Sequence, residues 1–248
     1  PAPPCDPEQI RNLKTDGERW LVADQEGRYY LSGDCAQWEE IHPFGEESTS
    51  AREIHIVDGT WILTAYREGF AYSSDGRHWK RSPYPIDNDD YSCSPTDDIV
   101  RLNDTWIWRF VRDRSYKYTK KGLVFDSEET GSYRETVLFA TQSLDSPWSR
   151  WEGTPNLPEG MEVDALRALP GHHSLLIFCT YNWIYGNDKK KTELEPAVKY
   201  FVPGKGWRNC TWDGKMNHGS GMIVTRMADQ LMCFGSNTLL RATKAYEW

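Results

Sequence analysis

The chain has 248 residues, of which 38% are hydrophobic and 27% charged, and its formal net charge is −8. This balance is typical of a globular protein, so it excludes a disordered chain and argues against nucleic acid as a partner. No apolar run approaches the ~20 residues that a membrane-spanning helix needs. The chain starts at Pro1 with neither a methionine nor a signal peptide, so we expect a processed or trimmed N-terminus.

Six cysteines are spread along the chain without the close pairs that bind metals. Cys179 and Cys233 lie in apolar runs, which indicates buried free thiols. Sequons for N-glycosylation begin at Asn103 and Asn209, and they favour a secreted or extracytoplasmic protein. In such a protein, four cysteines near polar loops would be able to form disulfides: Cys5, Cys35, Cys93 and Cys210.

A phrase of two β-rich runs joined by a short polar turn occurs five times. The clearest copy is Asp97–Trp108, in which Asn103-Asp104 joins an apolar run to an aromatic-rich run, as in a β-hairpin. A period of about 40 residues or more with strand content is typical of propeller blades. The turn residues of the five copies follow one another at intervals of 42 to 67 residues: Gly17, Gly59, Asp104, Gly171 and Asp229.

A second hairpin follows each copy, and it ends on a tryptophan that we expect to pack between neighbouring blades. No sustained apolar stripe with helical spacing is present. The sequence therefore predicts an all-β fold, a five-bladed β-propeller with four antiparallel strands per blade, as a single domain over 1–248. The expected blades are 5–45, 46–92, 93–158, 159–213 and 214–248.

Polar residues gather at the predicted start of the first strand of each blade, where a propeller places them around one mouth. Four of these five segments carry acids, and the fifth carries His218. Crowded carboxylates shift one another's pKa values, which provides an acid and a base in one site. The alternative is that each acid caps a turn or pairs with a nearby arginine. We favour a functional pocket for the set as a whole.

These segments resemble four phrases of the five-bladed glycoside hydrolases of family 43 and their clan. Asp6-Pro7 resembles the phrase that supplies the general base. Asp98, six residues before a turn, resembles the carboxylate that tunes the acid, and Glu162, nine residues before a turn, resembles the general acid. His218, in the phrase Asn217–Ser220, resembles a late-blade histidine that lies on the axis, often beside a hydrated metal ion.

The resemblance implies inverting hydrolysis of a pentose-containing or related polysaccharide or oligosaccharide. Asp6 would deprotonate a water, Glu162 would protonate the leaving oxygen, and Asp98 would raise the pKa of Glu162 and orient it. No cofactor would be required, and the axis near His218 would have room for a hydrated calcium ion. Further carbohydrate contacts are expected from five side chains: Glu53, His55, Asp164, Trp183 and Tyr91.

The sequence departs from the family where Val163-Asp164 replaces a Gly-Pro step, which leaves open whether Glu162 or Asp164 faces the axis. A non-catalytic propeller that binds a glycan or a protein stays open, because a fold alone does not decide function. A sialidase-like enzyme, suggested by Ser73–Trp79, ranks last because no clear arginine triad accompanies that phrase. Hydrolysis by the proposed geometry requires Asp6 and Glu162 to lie within about 12 Å of each other.

Overall fold

The computed structural model describes residues 5–45, 51–65, 69–83, 93–119, 122–125, 131–154, 161–168, 175–181, 197–210, 223–227, 230–235 and 238–241. For some strand residues in these ranges it describes the backbone alone. Its helical content within these ranges is one 3-10 turn, Pro7–Gln9, and none of its helices is long and apolar enough to cross a membrane. The prediction of an all-β fold is confirmed.

The first two sheets each consist of four antiparallel strands that follow one another in chain order. The first sheet contains Ile10–Thr15 (β1), Trp20–Asp24 (β2), Tyr29–Ser32 (β3) and Glu39–Ile41 (β4). The second sheet contains Ala51–Val57 (β5), Thr60–Ala65 (β6), Gly69–Ser73 (β7) and Lys80–Arg81 (β8).

The third sheet is longer, and its strands are Cys93–Leu102 (β9), Thr105–Thr119 (β10), Gly122–Phe125 (β11), Gly131–Thr141 (β12) and Ser149–Arg150 (β13). Its order is β11-β10-β12-β13, with β9 also paired to β10. The fourth sheet again follows chain order, with Met161–Ala168 (β14), Leu175–Tyr181 (β15), Ala197–Val202 (β16) and Gly206–Asn209 (β17). The described part of the fifth contains Ile223–Met227 (β18), Gln230–Gly235 (β19) and Thr238–Arg241 (β20).

The first, second and fourth sheets and the described part of the fifth have the chain-order meander expected of propeller blades, whereas the third sheet departs from it. Closure into five blades stays a prediction. The chain divides into two compact units. One comprises Pro1–Trp108 and Phe139–Arg150, and the other comprises Arg109–Leu138 and Trp151–Trp248. The assignment of 1–248 to a single domain also stays a prediction.

The hairpin turns follow from local sequence. Asp58 and Gly59, between β5 and β6, both have positive φ, 48° and 74°, which is the conformation that a two-residue type I′ turn requires. Asn103, between β9 and β10, has φ 53°. Asparagine and aspartate tolerate this region better than other residues with a Cβ. The hairpin predicted at Asp97–Trp108 is therefore confirmed.

The core of the first unit lies between its first and second sheets. Leu21 and Leu31 from the first sheet pack in one cluster with Ile54, Trp61 and Leu63 from the second. Of these five side chains none is more than 3% exposed. Alternate residues of the strands supply this layer, since side chains along a strand point to opposite faces.

The second sheet is joined to β13 and the turn before it by an aromatic and polar contact. The Trp148 ring lies 5.7 Å from the Phe70 ring, edge to face, and its Nε1 donates to Ser82 Oγ at 2.9 Å. The Ser82 hydroxyl in turn donates to the Leu144 carbonyl at 2.7 Å. The prediction that tryptophans pack between sheets is confirmed for Trp148.

The connections from β3 to β4 and from β7 to β8 share one turn, which we call the aspartate turn and which spans 32–38 and 73–79. In the second copy, Ser73 Oγ accepts hydrogen bonds from the N–H groups of Asp75 and Gly76. Asp75 Oδ1 accepts from the N–H groups of Arg77 and His78, both at 2.8 Å. Hydrogen bonds from the His78 ring and these N–H groups hold the pKa of Asp75 well below its ordinary value.

The two aspartate turns differ at one strained position. Gly76 has φ 73°, and Cys35 occupies the equivalent place with φ 59°. A residue with a Cβ is disfavoured in this left-handed region, whereas glycine adopts it freely. A Cβ on Gly76 would also lie 3.0 Å from Leu31 Cδ1.

We predict that Cys35→Gly stabilises the protein, by up to about 1 kcal/mol, because relief of the left-handed strain exceeds the entropy that glycine loses on folding. The converse change, Gly76→Ala, is expected to destabilise it, because φ and the contact with Leu31 are both unfavourable. Thermal unfolding of the two variants measures both effects. A lower melting temperature for Cys35→Gly would contradict the prediction.

A polar cluster around Asp16 joins the first hairpin to the second sheet. Asp16 Oδ2 accepts from the Arg19 guanidinium at 2.7 Å and from Trp61 Nε1 at 3.2 Å. Burial raises the pKa of Asp16, but hydrogen bonds from the Arg19 and Glu18 N–H groups and from the guanidinium outweigh it, so the pKa lies below its ordinary value. The ionised carboxylate is the form that this cluster binds.

We predict that Asp16→Asn destabilises the protein by about 1–2 kcal/mol at pH 7, because charge-assisted hydrogen bonds are lost around a buried indole. A lowered folded-state pKa contributes stability that is present above about pH 4 and is lost as the pH falls. The difference from wild type should therefore shrink toward pH 3 in urea titrations. Glu18→Gln, an exposed change on the same turn, is the control, and a pH-independent difference would contradict this assignment.

Candidate functional site

The first strands of three sheets contain a β-bulge near their starts. In β1, Ile10 faces Asp24 and Asn12 faces Ala23, so Arg11 is an extra residue. In β5, the extra residue falls at 52–53, opposite Thr64. In β14, Val163 faces Cys179 and Ala165 faces Phe178, so Asp164 is extra. Bulges re-aim side chains and are frequent beside functional sites.

Glu53, at the second bulge, is held by partners on both sides. Its N–H donates to Thr64 Oγ1 of β6 at 3.2 Å, which compensates for the local loss of strand pairing. Its Oε2 accepts a hydrogen bond from the side-chain amide of Asn12 on β1. The carboxylate is half-buried, and it links the first strands of the first and second sheets. The prediction that Glu53 contacts a substrate is not tested by this arrangement.

His55 follows two residues after Glu53 on the same strand. Between them lies Ile54, which is fully buried in the core, and the next residue, Ile56, packs against that core. Since neighbours on a strand point to opposite faces, His55 projects from the face opposite this core, and it is half-buried there. The β5 strand therefore carries a carboxylate that is bonded to the Asn12 amide and, two residues later, an imidazole.

Asp98 lies on β9, the first strand of the third sheet, and is 8% exposed. Its N–H donates to Thr96 Oγ1 at 3.3 Å, and the Thr96 carbonyl accepts from Trp108 Nε1 at 2.9 Å. The Trp108 ring is fully buried. The start of β9 is thus anchored to the aromatic core, and Asp98 is mostly buried there.

Asp6 lies ahead of β1 rather than on it. Its carboxylate accepts from the Glu8 N–H at 3.2 Å and caps the 3-10 turn, and its carbonyl accepts from the Gln9 N–H at 2.8 Å. The side chain is exposed. Capping of a turn was the alternative explanation for the acids of the predicted mouth, and the structure gives Asp6 this role. Its predicted role as general base stays a prediction.

Glu162 and Asp164 lie in β14, in the second compact unit, whereas Asp6 and Asp98 belong to the first unit. The structure describes the backbone of both β14 residues, with Glu162 paired to Thr180 and Asp164 in the bulge. The catalytic grouping of Asp6, Asp98 and Glu162 is untested and stays a prediction.

Three predicted residues lie outside the described residues: Tyr91, Trp183 and His218. The calcium ion expected near His218 stays a prediction with it. Across the ranges that the structure describes, no group of three or more His, Cys, Asp and Glu side chains is placed to hold a metal. Cys5 and Cys35, two of the cysteines expected to form disulfides, are free thiols.

Asn12 is a member of the site that the sequence did not indicate. Asn12 is a polar residue inside the phrase Ile10–Asp24, where we expected an ordinary hairpin strand. A polar residue at the start of a first strand was the available signal, because polar groups that become half-buried need hydrogen-bond partners. The identity of its partner, 41 residues away, has no local signature.

Comparison with known proteins shows a shared fold. No family model matches the chain, and no curated protein matches it. It is similar to the extracellular domain of a one component system from B. thetaiotaomicron, with a TM-score of 0.54 at 11% identity over 98% of this chain and 28% of that chain. It is also similar to an ancestral GH74 enzyme, with a TM-score of 0.53 at 11% identity over 94% of this chain and 33% of that chain.

The chain thus spans about a third or less of the length of both structures that it matches. At 11% identity, the likeness concerns the propeller-like arrangement of antiparallel sheets.

Proposed function

We propose that this chain is a propeller-type domain that binds carbohydrate at the starts of its first strands. The observation that carries the proposal is the recurrence of a bulge at this place in three sheets. Each bulge falls in or directly beside a segment where the sequence places polar or charged residues. Ligand binding gives a reason for a feature that interrupts strand pairing.

The side chains at β1 and β5 suit sugar hydroxyls, which both donate and accept hydrogen bonds. The Glu53 carboxylate supplies acceptors, and the Asn12 amide supplies donors and an acceptor. The hydrogen bond between Asn12 and Glu53 fixes both groups before a ligand arrives, which lowers the entropy lost on binding.

The likeness to known structures supports the same class of ligand. One of the two structures is a GH74 enzyme, a glycoside hydrolase, and the other is an extracellular domain. We therefore also propose an extracytoplasmic location for the chain. Free thiols at Cys5 and Cys35 are compatible with this location, because secreted domains do not require every cysteine to be bridged.

We predict that Glu53→Gln weakens carbohydrate binding by about tenfold, because a neutral amide replaces the charged acceptor that faces the ligand and Asn12. Arabinan and xylan oligosaccharides are the first ligands to screen by titration calorimetry. Glu40→Gln, the same substitution on the exposed outer strand β4, is the matched control and should bind like wild type. Equal affinities for Glu53→Gln and wild type would exclude Glu53 from the site.

Glycoside hydrolysis at the strand starts is the second function that we propose, and the bulge of β14 beside Glu162 is the observation that favours it. Glu162 would act as general acid and Asp6 as general base, with Asp98 holding the pKa of Glu162 high. Inverting enzymes of this type keep base and acid roughly 6.5–9.5 Å apart, so that a water fits between base and sugar.

We predict that Glu162→Gln lowers kcat for aryl-glycoside and oligosaccharide hydrolysis by at least about a hundredfold while binding is retained, because proton transfer to the leaving oxygen is lost. Glu152→Gln, an exposed change in the same unit, is the control. Hydrolysis that survives Glu162→Gln would remove it as the acid. If the wild-type protein binds carbohydrate without cleaving it, hydrolysis is excluded and carbohydrate binding is retained as the function.

A further inference from the structure

The bulged start of β14 is held by side chains of another sheet within the second unit. The Val163 N–H donates to Thr136 Oγ1 of β12 at 2.9 Å, and the Val163 carbonyl accepts from Arg109 Nη1 of β10 at 2.6 Å. Within its own sheet, β14 pairs with β15 on one side only. Side chains of the third sheet therefore form hydrogen bonds with the Val163 main-chain groups that do not pair with β15.

Both of these side chains are in rigid surroundings. Arg109 and Thr136 are each 8% exposed, and Val163 between them is fully buried. Arginine is seldom buried, because removal of the guanidinium from water costs free energy unless its N–H groups find acceptors. The β-branched threonine has a restricted χ1. The Arg109 and Thr136 side chains that bond to Val163 therefore have little freedom to move.

The geometry points to Arg109 and Thr136 as positioning residues for Glu162 and Asp164. The Val163 N–H belongs to the peptide group that joins Glu162 to Val163. The Val163 carbonyl belongs to the peptide group that joins Val163 to Asp164. Hydrogen bonds to both groups fix the backbone on which the two carboxylates stand. This inference rests on the proposed function, in which these carboxylates meet the carbohydrate.

Asp164 depends most on these hydrogen bonds. As the extra residue of the bulge, it has no Cα partner on β15, so the ladder does not set its position. The adjoining peptide is fixed by Arg109 instead. Loss of either hydrogen bond would let the bulge relax, and displacement of a reacting group by about 1 Å is sufficient to cost a hundredfold in rate.

Three threonine variants separate positioning from general stabilisation. Thr136→Val removes the acceptor and keeps the branched shape, and Thr136→Ser keeps the acceptor. Thr141→Val is the matched control, because Thr141 lies on the same strand, is 7% exposed, and donates its hydroxyl to the Ser143 carbonyl at 2.9 Å. Arg109→Lys, which keeps the charge and re-aims the donor, provides a second test that does not depend on the folding of Thr136→Val.

The readouts are amide hydrogen exchange at Val163 and NMR titration of the Glu162 and Asp164 carboxyls. We expect Thr136→Val to accelerate exchange at Val163 by about fivefold or more and to shift at least one carboxyl titration. Thr136→Ser should restore both readouts, and Thr141→Val should alter neither. With a bound oligosaccharide, Thr136→Val should weaken binding or kcat/KM by about tenfold or more.

Unchanged carboxyl titrations in Thr136→Val and in Arg109→Lys would overturn the inference. Equal shifts in Thr136→Val and Thr141→Val would also overturn it, because they would show a general loss of stability. A wild-type protein that binds no carbohydrate would overturn the proposed function. The exchange and titration results would then decide the positioning role by themselves, since neither needs a ligand.

Discussion

Some main-chain groups along the first strand of a sheet require partners that backbone pairing within the sheet does not provide. A strand at a sheet edge pairs on one side, and unpaired peptide groups that are buried cost free energy. In addition, β1, β5 and β14 each contain one extra residue in a bulge. Side chains then complete the bonding, as Thr64 does for Glu53 and as Arg109 and Thr136 do for Val163.

Short-range sequence signals predicted the parts of the fold that depend on short-range physics. The Asp58-Gly59 turn needs two residues with positive φ, and the sequence supplies two types that tolerate it. The aspartate turns close through hydrogen bonds within three residues of Asp75, so the phrase itself contains every group involved. These turns can be predicted from the sequence because the donors, the acceptors and the residues with the required φ values are neighbours in the chain.

The site was less predictable because its contacts join distant segments. Asn12 donates a hydrogen bond to Glu53, which lies 41 residues away in the chain. The sequence around either residue does not indicate the other as its partner. The sequence left open whether Glu162 or Asp164 faces the axis. A bulge adds one residue to a strand and so changes the face to which the following side chains point, and an alternating pattern does not reveal that residue. Asp6 was predicted to be the general base at the start of the first strand, and the structure places it on a turn that it caps. Its Asp-Pro phrase is as suitable for a helical N-cap as for a catalytic site.

The recurrence of the bulges bears on the choice between a structural and a functional origin. One bulge could serve to bend a strand, but bulges at the first-strand starts of three sheets disturb pairing at the same topological position each time. The stabilising hydrogen bonds that replace the ladder come from different residues in β5 and β14. The bulges share a position, but different residues stabilise them. This indicates that the bulged backbone shape itself is what the three strands have in common. The proposed carbohydrate site would require that shape, whether or not Glu162 transfers a proton.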